Sequence, residues 1–408
     1  MITVKEAFET ILSSSNSLLG ESVHFSNSHG RVLYEDVISS SNIPPFNNSA
    51  MDGYAVLYED TQNATTDSPV ELKIINEVAA GSMTNDFLQR GSVIRIMTGA
   101  PIPQGANAVV PFEDTSEKDD RVYINRKFNK QDNIRFAGED ISTGMTVLHK
   151  GRRITSADIG LLASLNEEKI SVTKMPRIAV ISTGDEIVEP GGVISEGQIR
   201  NSNAYTLISE IKRFSGDPLY MGIVRDDKEE AAAVFKKALE YDIVITTGGV
   251  SMGRYDYVKE IMRDCGVTIS FEAISMKPGK PMAFGAKGKT LFFGLPGNPV
   301  STMVSFSLFV RPALLKMMGA SDINLPVVSA ILENPIKKKA GRTNYLRGYF
   351  TIKNGIMYVN TTGPQGSGIL RSMSIANCLI ELPSEIKEMK EGESVSIILI
   401  QHGELSHG

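Results

Sequence analysis

Between Arg177 and Gly319 short apolar runs alternate with amphipathic helical patterns, and a glycine- or acid-rich loop follows nearly every run. Nothing else in the chain narrows its fold as far. Ile178 to Ile181 reads as a buried strand. Leu207, Ile208, Ile211 and Phe214 form a helical stripe, followed by a strand around Leu219 to Val224. Phe235, Ala238 and Leu239 mark a helix before the strand Ile243 to Thr246. Val258, Ile261, Met262 and Cys265 then repeat the spacing of a helix with one apolar face. Strands alternating with helices in this way form a parallel, helix-covered sheet. The last helix of the region is expected to start at Asn298-Pro299, an N-cap followed by proline at the first helical position. It is expected to kink at Pro312 and to end at Gly319.

In parallel α/β sheets, ligands bind beyond the carboxyl ends of the strands. Thr183 to Glu186, Arg225 to Asp227, Thr247 to Gly253 and Gly294 to Pro299 each follow an apolar run, so four motifs converge on one sheet edge. Gly248, Gly249, Ser251 and Gly253 let backbone N–H groups approach an anion at the start of the helix carrying Val258, where the helix dipole adds to the attraction. The same glycines also suit a plain strand-to-helix turn. Glu186, Asp226, Asp227 and Asp256 offer hard oxygen ligands for Mg²⁺, which shares phosphate oxygens and keeps several waters. Asp227 and Asp256 precede helices, so N-capping competes with that role. Lys277 and Lys280 flank a Pro-Gly turn and suit a phosphate, or simply a solvated turn.

Two motifs are decoys. Gly249-Val250-Ser251-Met252-Gly253 matches a nucleophile elbow, but the later histidines His402 and His407 lie in a polar tail. Gly285-Ala286-Lys287-Gly288-Lys289-Thr290 has two residues between its glycines where a P-loop has four, and it leads into a strand-like run.

A chain of 408 residues is too long for one core, so about two to four domains are expected. The net charge of −5 argues against a general nucleic-acid binder. No uninterrupted apolar stretch approaches the ~18 residues that span a bilayer, and the N-terminus has no basic region before an apolar core, so a cytosolic protein is expected. Cys265 and Cys378 are far apart in apolar contexts, which suits buried thiols rather than a disulfide or a zinc site.

Thr3-Val4-Lys5-Glu6 reads as a capping box opening a helix. Residues 47–141 read as β-rich, with runs at Val70 to Val78, Ser92 to Met97, Ala108 to Phe112 and Val122 to Ile124. Ile154 to Leu165 reads as a helix. From Asn324 onward short strands with glycine turns fit a small barrel or sandwich. Taken singly, Asn48 to Val56 is a hairpin turn around Asp52-Gly53, Arg95 to Pro103 a strand entering a glycine-proline loop, and Arg135 to Ile141 an arginine beside two acids.

Taken in order, these segments closely resemble the molybdopterin molybdenumtransferase (MoeA) family, to which the C-terminal domain of gephyrin is related. The matching segments are Ser49 to Ala55, Arg95 to Pro103, Gly138 to Ile141, Ser182 to Glu186, Arg225 to Asp227, Gly248 to Asp256, Lys277 to Pro281 and Gly294 to Ser301. The resemblance implies a multidomain α/β plus β fold in an elongated subunit. Its parts are a discontinuous linker-like domain (1–46 and 142–175), an inserted β-rich domain (47–141), a parallel α/β molybdopterin-binding domain (176–323) and a C-terminal β-barrel (324–408).

The implied reaction inserts molybdate into adenylylated molybdopterin with Mg²⁺-dependent release of AMP. By resemblance, Asp52, Thr98, Asp140, Glu186, Asp226, Asp256, Pro296 and Pro299 take the family's functional positions, and Gly297 lies in the same substrate loop. Asp226 and Asp256 would help hold metal or pterin, Glu186 would bind metal or move a proton, and Lys277 and Lys280 would hold phosphate. Family members are usually homodimers, so Asp52, Thr98 and Asp140 would complete the molybdate side of a cleft from the partner. Transient contact with an adenylyltransferase and with molybdoenzyme acceptors is implied as well. Asn47 stands where the family commonly has aspartate, Ala137 where it is often basic, and Asn166 replaces a usual glycine, which a left-handed turn tolerates. The alternatives are the sister adenylyltransferase, which generally lacks the Asp52 and Thr98 segments, and a non-catalytic scaffold of the same fold.

Overall fold

The computed structural model describes residues 1–225, 227–249 and 257–400. They divide into two compact units. One comprises Asp36–His149 and Ser156–Ile170; the other comprises Met1–Glu35, Lys150–Thr155 and the chain from Ser171 onward.

The larger unit opens with helix α1 (Val4–Ser14), started by the expected capping box: the Thr3 hydroxyl accepts from the Glu6 N–H, and the Glu6 carboxylate accepts from the Thr3 N–H. The smaller unit is a six-stranded sheet of β1 (Gly53–Val56), β2 (Val70–Val78), β3 (Ser92–Ile96), β4 (Ala108–Pro111), β5 (Thr115–Lys118) and β6 (Arg121–Ile124), in the order β4-β1-β3-β2-β6-β5. Its period-2 alternation sends Tyr54, Val56, Val93 and Val110 into one core, and Ala55, Ile94, Ile96 and Val109 into another. Helix α2 (Ser156–Ser164) belongs to this unit, and Asn166 after it takes the left-handed conformation, φ 61°.

From Arg177 the chain follows the predicted strand–helix rhythm: β7 (Arg177–Thr183), α3 (Asn203–Arg213), β8 (Asp217–Val224), α4 (Lys228–Ala238), β9 (Ile243–Thr247), α5 (Tyr257–Asp264), β10 (Thr268–Phe271), β11 (Ala283–Lys287) and β12 (Thr290–Leu295). The sheet order is β8-β7-β9-β12-β11-β10. β8, β7, β9 and β12 pair in parallel, whereas β11 runs antiparallel to both its neighbours, β12 and β10, because Gly288 (φ 58°) turns the chain straight back between β11 and β12. That turn is where the P-loop decoy lies. Alternate residues of the central strands enter opposite cores. Ile178, Val180 and Ile245 meet α3 and the last helix, whereas Ala179, Ile181 and Val244 meet Phe235 of α4 and Ile261 of α5.

The last helix starts where predicted, with Asn298 at the cap and Pro299 in the first turn, although the Asn298 side chain makes no capping bond. Its interruption differs from the expected kink. Between α6 (Pro299–Ser305) and α7 (Arg311–Met317) lies a π-helical turn, Phe306–Val310. Pro312 has no N–H for the carbonyl four residues back and its ring crowds that carbonyl, so the widened turn upstream absorbs the strain. The whole stretch Pro299–Met317 is, by length and composition, apolar enough to cross a bilayer, although Arg311 and Lys316 interrupt its apolar run. In the fold, 78% of its apolar window is buried, as in the core helix of a globular domain.

The C-terminal strands β13 (Val327–Leu332), β14 (Thr343–Lys353), β15 (Ile356–Thr361), β16 (Cys378–Leu382) and β17 (Ser394–Leu399) pair in the order β14-β15-β13-β17-β16, and β16 pairs back to β14. The sheet therefore closes into a five-stranded barrel around Leu332, Phe350, Val359 and Ile380. Both cysteines are free, with Cys378 buried in this barrel.

Candidate active site

Three parallel strands end at one cleft of about 550 Å³ in the larger unit. Strand β7 delivers Ser182, Thr183 and Glu186, β9 delivers Thr247 and Gly248, and β12 leads into Pro296, Gly297, Asn298 and Pro299. Asn201 to Asn203, at the start of α3, and Gly368 and Leu370 from the C-terminal region complete the wall. Three of the four motifs expected at the sheet edge thus line one cavity, of the size that takes a small organic ligand.

The loops are fixed by backbone bonds. Gly248 N–H donates to the Leu295 carbonyl at 3.1 Å, and the Thr183 hydroxyl donates to the Thr247 carbonyl at 3.1 Å. Gly248 adopts φ 88°, and a Cβ there would lie 2.7 Å from the Thr183 carbonyl oxygen, so glycine is required both by conformation and by close approach. Gly249 follows in the same left-handed region, φ 63°. The buried Thr302 hydroxyl, within hydrogen-bond reach of the Pro296 (2.6 Å) and Asn298 (3.1 Å) carbonyls, pins the proline loop, and Asn203 Nδ2 donates to the Gly297 carbonyl at 2.8 Å.

Glu186 is exposed to the cleft. Its carboxylate folds back over Gly184, where any Cβ would stand 2.4 Å from Oε2. Glu186 and Arg200 are the charged side chains among the described residues that line the cavity; the rest of its polar wall is hydroxyl and amide. Sequence reasoning missed Arg200 and the Asn201–Asn203 segment, which no strand end of the main sheet signals, since they lie well beyond β7 on the approach to α3 and at its first residue.

Other predicted residues are placed elsewhere or lie outside the described residues. Asp226, Ser251, Gly253 and Asp256 are outside them. Asp227 is a helix cap: its Oδ1 accepts from the N–H groups of Glu229 and Glu230, each at 2.9 Å. Lys277 and Lys280 are exposed and are not in the cleft wall, although Pro281 beside them is. The strand Met276–Lys277 pairs with Thr343 and Asn344 of the barrel. Among the described residues no group of three or more histidines, cysteines or acids could hold a metal.

Within the smaller unit, the three first-half motifs come together. Ser49 N–H donates to the Ala100 carbonyl and Gly99 N–H to the Ser49 carbonyl, while Asn48 and Ser49 pair with Arg135 and Ile134. Asp52 is not the hairpin turn expected of an Asp-Gly pair. Gly53 instead opens β1, and the Asp52 Oδ1 accepts from the Thr98 N–H at 2.7 Å. The Thr98 N–H, aided by the Thr98 hydroxyl, holds the Asp52 carboxyl below the usual carboxylate range. Asp140 joins through its backbone, its N–H donating to the Ile43 carbonyl, and its side chain is exposed. Asn47 Oδ1 accepts from the Ala137 N–H at 2.8 Å, so the two positions that depart from the family pattern touch.

A barrel following an α/β domain whose cleft opens at the carboxyl edge of its sheet, with a separate β-rich unit before it, defines a class of cofactor-assembly proteins when set beside known families. Residues 2–166 match the MoeA N-terminal region (domains I and II), 179–316 a probable molybdopterin binding domain, and 329–400 the MoeA C-terminal region (domain IV). A molybdopterin molybdenumtransferase of Staphylococcus epidermidis is 38% identical over 98% of this chain and 96% of its own, and one of Staphylococcus aureus is 36% identical over the same shares. The crystal structure of a molybdopterin biosynthesis MoeA protein from Pyrococcus horikoshii superposes with a TM-score of 0.84 at 34% identity, covering 98% of this chain and all of that one. The chain belongs to the MoeA family of molybdopterin molybdenumtransferases.

Proposed function

We propose that the cleft at the ends of β7, β9 and β12 binds adenylylated molybdopterin, and that the chain exchanges its AMP for molybdenum taken from molybdate. As a member of its family the chain is a transferase of molybdenum cofactor biosynthesis. One observation supports the finer reading above others. Glu186, Gly248, Pro296, Gly297 and Pro299, chosen from sequence as site residues, line a single cavity with hydroxyls, amides and one guanidinium suited to phosphate and sugar.

The Gly248 N–H is engaged by the Leu295 carbonyl, so the N–H groups after it, from Gly249 through Ser251 to Gly253, would approach the phosphate, with Arg200 in the same cleft wall. Lys277 and Lys280 would steer the anion from the surface. Glu186 would ligate metal or move a proton, and Asp226 and Asp256 would hold metal or pterin. Among the described residues the cleft presents one exposed carboxylate, which fits a magnesium ion shared with substrate phosphate and water rather than an all-protein cage. When bound, magnesium neutralises charge on the phosphate as AMP leaves. Asp52, Thr98 and Asp140 would handle molybdate, contributed in a homodimer by the second copy. The setting is cytoplasmic, with an adenylyltransferase supplying substrate and molybdoenzymes receiving the product.

A pair of incubations tests this reading. Given adenylylated molybdopterin, Mg²⁺ and molybdate, the protein releases AMP; given molybdopterin and ATP, it releases no pyrophosphate. The reverse pattern would make it an adenylyltransferase, and silence in both would make it a scaffold.

A further inference from the structure

Beyond Glu186 the chain leaves the sheet in a flap closed by two short parallel segments, Ile187 opposite Ile199 and Val188 opposite Arg200. Ile199 N–H donates to the Glu186 carbonyl at 2.8 Å, and Asn201 N–H to the Val188 carbonyl at 2.9 Å. The flap therefore holds the backbone of Glu186, and its return limb supplies the cleft wall from Ile199 to Asn203.

One side chain ties the flap to the sheet and to α3. Glu189 Oε1 accepts from the Tyr220 hydroxyl of β8 and from Asn201 Nδ2 (3.2 Å), and Oε2 accepts from the Tyr205 hydroxyl of α3 (2.7 Å). Asn201 is only 3% exposed. Its Nδ2 also donates to the Tyr220 oxygen at 2.8 Å, which turns Oδ1 toward the Ser182 hydroxyl (3.2 Å) and the Ala204 N–H (3.3 Å). Ser182 and Asn201 both line the cleft. An ionised carboxylate accepts only, and here donors from three elements converge on it. Burial works to raise the Glu189 pKa, but the hydroxyls of Tyr220 and Tyr205 and the Asn201 amide outweigh it and hold the group below the usual range.

We propose that Glu189 is a positioning residue for the transferase reaction: its carboxylate orients Asn201 and sets the flap, and so places Ser182, Glu186 and Asn203 against bound nucleotide. The inference rests on adenylylated molybdopterin occupying this cleft. Glu189 itself stands one layer behind the cleft and acts through its neighbours.

Two variants test it. Glu189→Gln turns an N–H₂ toward groups that donate, and Tyr205→Phe removes one donor while leaving the carboxylate in place. Hydrogen exchange at the Ile199 and Asn201 amides is expected to accelerate about 10-fold in Glu189→Gln, with barrel amides unchanged. The KM for adenylylated molybdopterin is expected to rise about 10-fold in Glu189→Gln and roughly 3-fold in Tyr205→Phe, with kcat within about 3-fold of wild type. The double variant is expected to match Glu189→Gln alone, since both changes break one network. An unchanged KM in both variants of an active enzyme, or a loss of melting temperature without a change in KM, overturns the role. Wild-type protein that releases no AMP overturns the substrate reading itself, whereas unaltered exchange at Ile199 and Asn201 overturns the positioning whatever the substrate.

Discussion

Asp52 and Thr98 are 46 positions apart in sequence and one hydrogen bond apart in space. Each side chain is exposed, so neither holds the core together, and the bond's effect is on charge: it keeps Asp52 ionised. The sign follows from the lowered folded pKa. Any stability this bond adds is present above the unfolded pKa of about 3.9 and fades as pH falls through the lower folded value, so nothing changes between about pH 5 and 8. NMR titration is expected to place the Asp52 midpoint below that of an unfolded-chain aspartate; a midpoint above 4 would contradict the pairing. Asp52→Ala and Glu186→Ala are each expected to lower kcat by at least about 100-fold while the melting temperature stays within about 2 °C of wild type. Full activity in Glu186→Ala would remove that carboxylate from the site. At this scale the candidate residues were legible in the sequence and their partners were not. Asp52-Gly53 carries the local signature of a hairpin, and only the long-range approach of Thr98 gives the carboxylate another use.

At the scale of elements, periodicity located the strands and helices of the α/β region because their buried faces demand it. What it missed arises from packing between elements. Gly53 is a case: a Cβ there would lie 2.0 Å from the Val110 carbonyl oxygen, so glycine is fixed by the approach of β4 and not by a turn. Gly53→Ala is expected to destabilise the smaller unit by at least about 1–3 kcal/mol, read by chemical denaturation; a change under about 0.5 kcal/mol would show that β4 can yield. The reversed strand β11 and the π-helical turn before Pro312 were likewise hidden, since apolar runs do not encode strand direction and proline does not specify how a helix accommodates it. The flap was hidden for a further reason. Glu189, Asn201, Tyr205 and Tyr220 are spread over three elements, and each is an unremarkable polar residue until the fold assembles them.

For the whole molecule, the ordered motifs carried the family assignment, and the fold explains why they lie where they do. Three motifs from the second half meet because their strand ends share an edge, and those from the first half meet because Asn48 and Ser49 bridge two loops. The lysines at 277 and 280 show the limit of motif reading: a turn flanked by cations has the composition of a phosphate site, yet both side chains are exposed outside the cleft wall. The central claim, that AMP departure is coupled to molybdenum entry, is tested most directly by counting both in one reaction. With adenylylated molybdopterin, Mg²⁺ and increasing molybdate, bound molybdenum measured by mass spectrometry is expected to rise in step with AMP, one atom per nucleotide. AMP release that proceeds equally without molybdate, or with no molybdenum retained on the pterin, would contradict it.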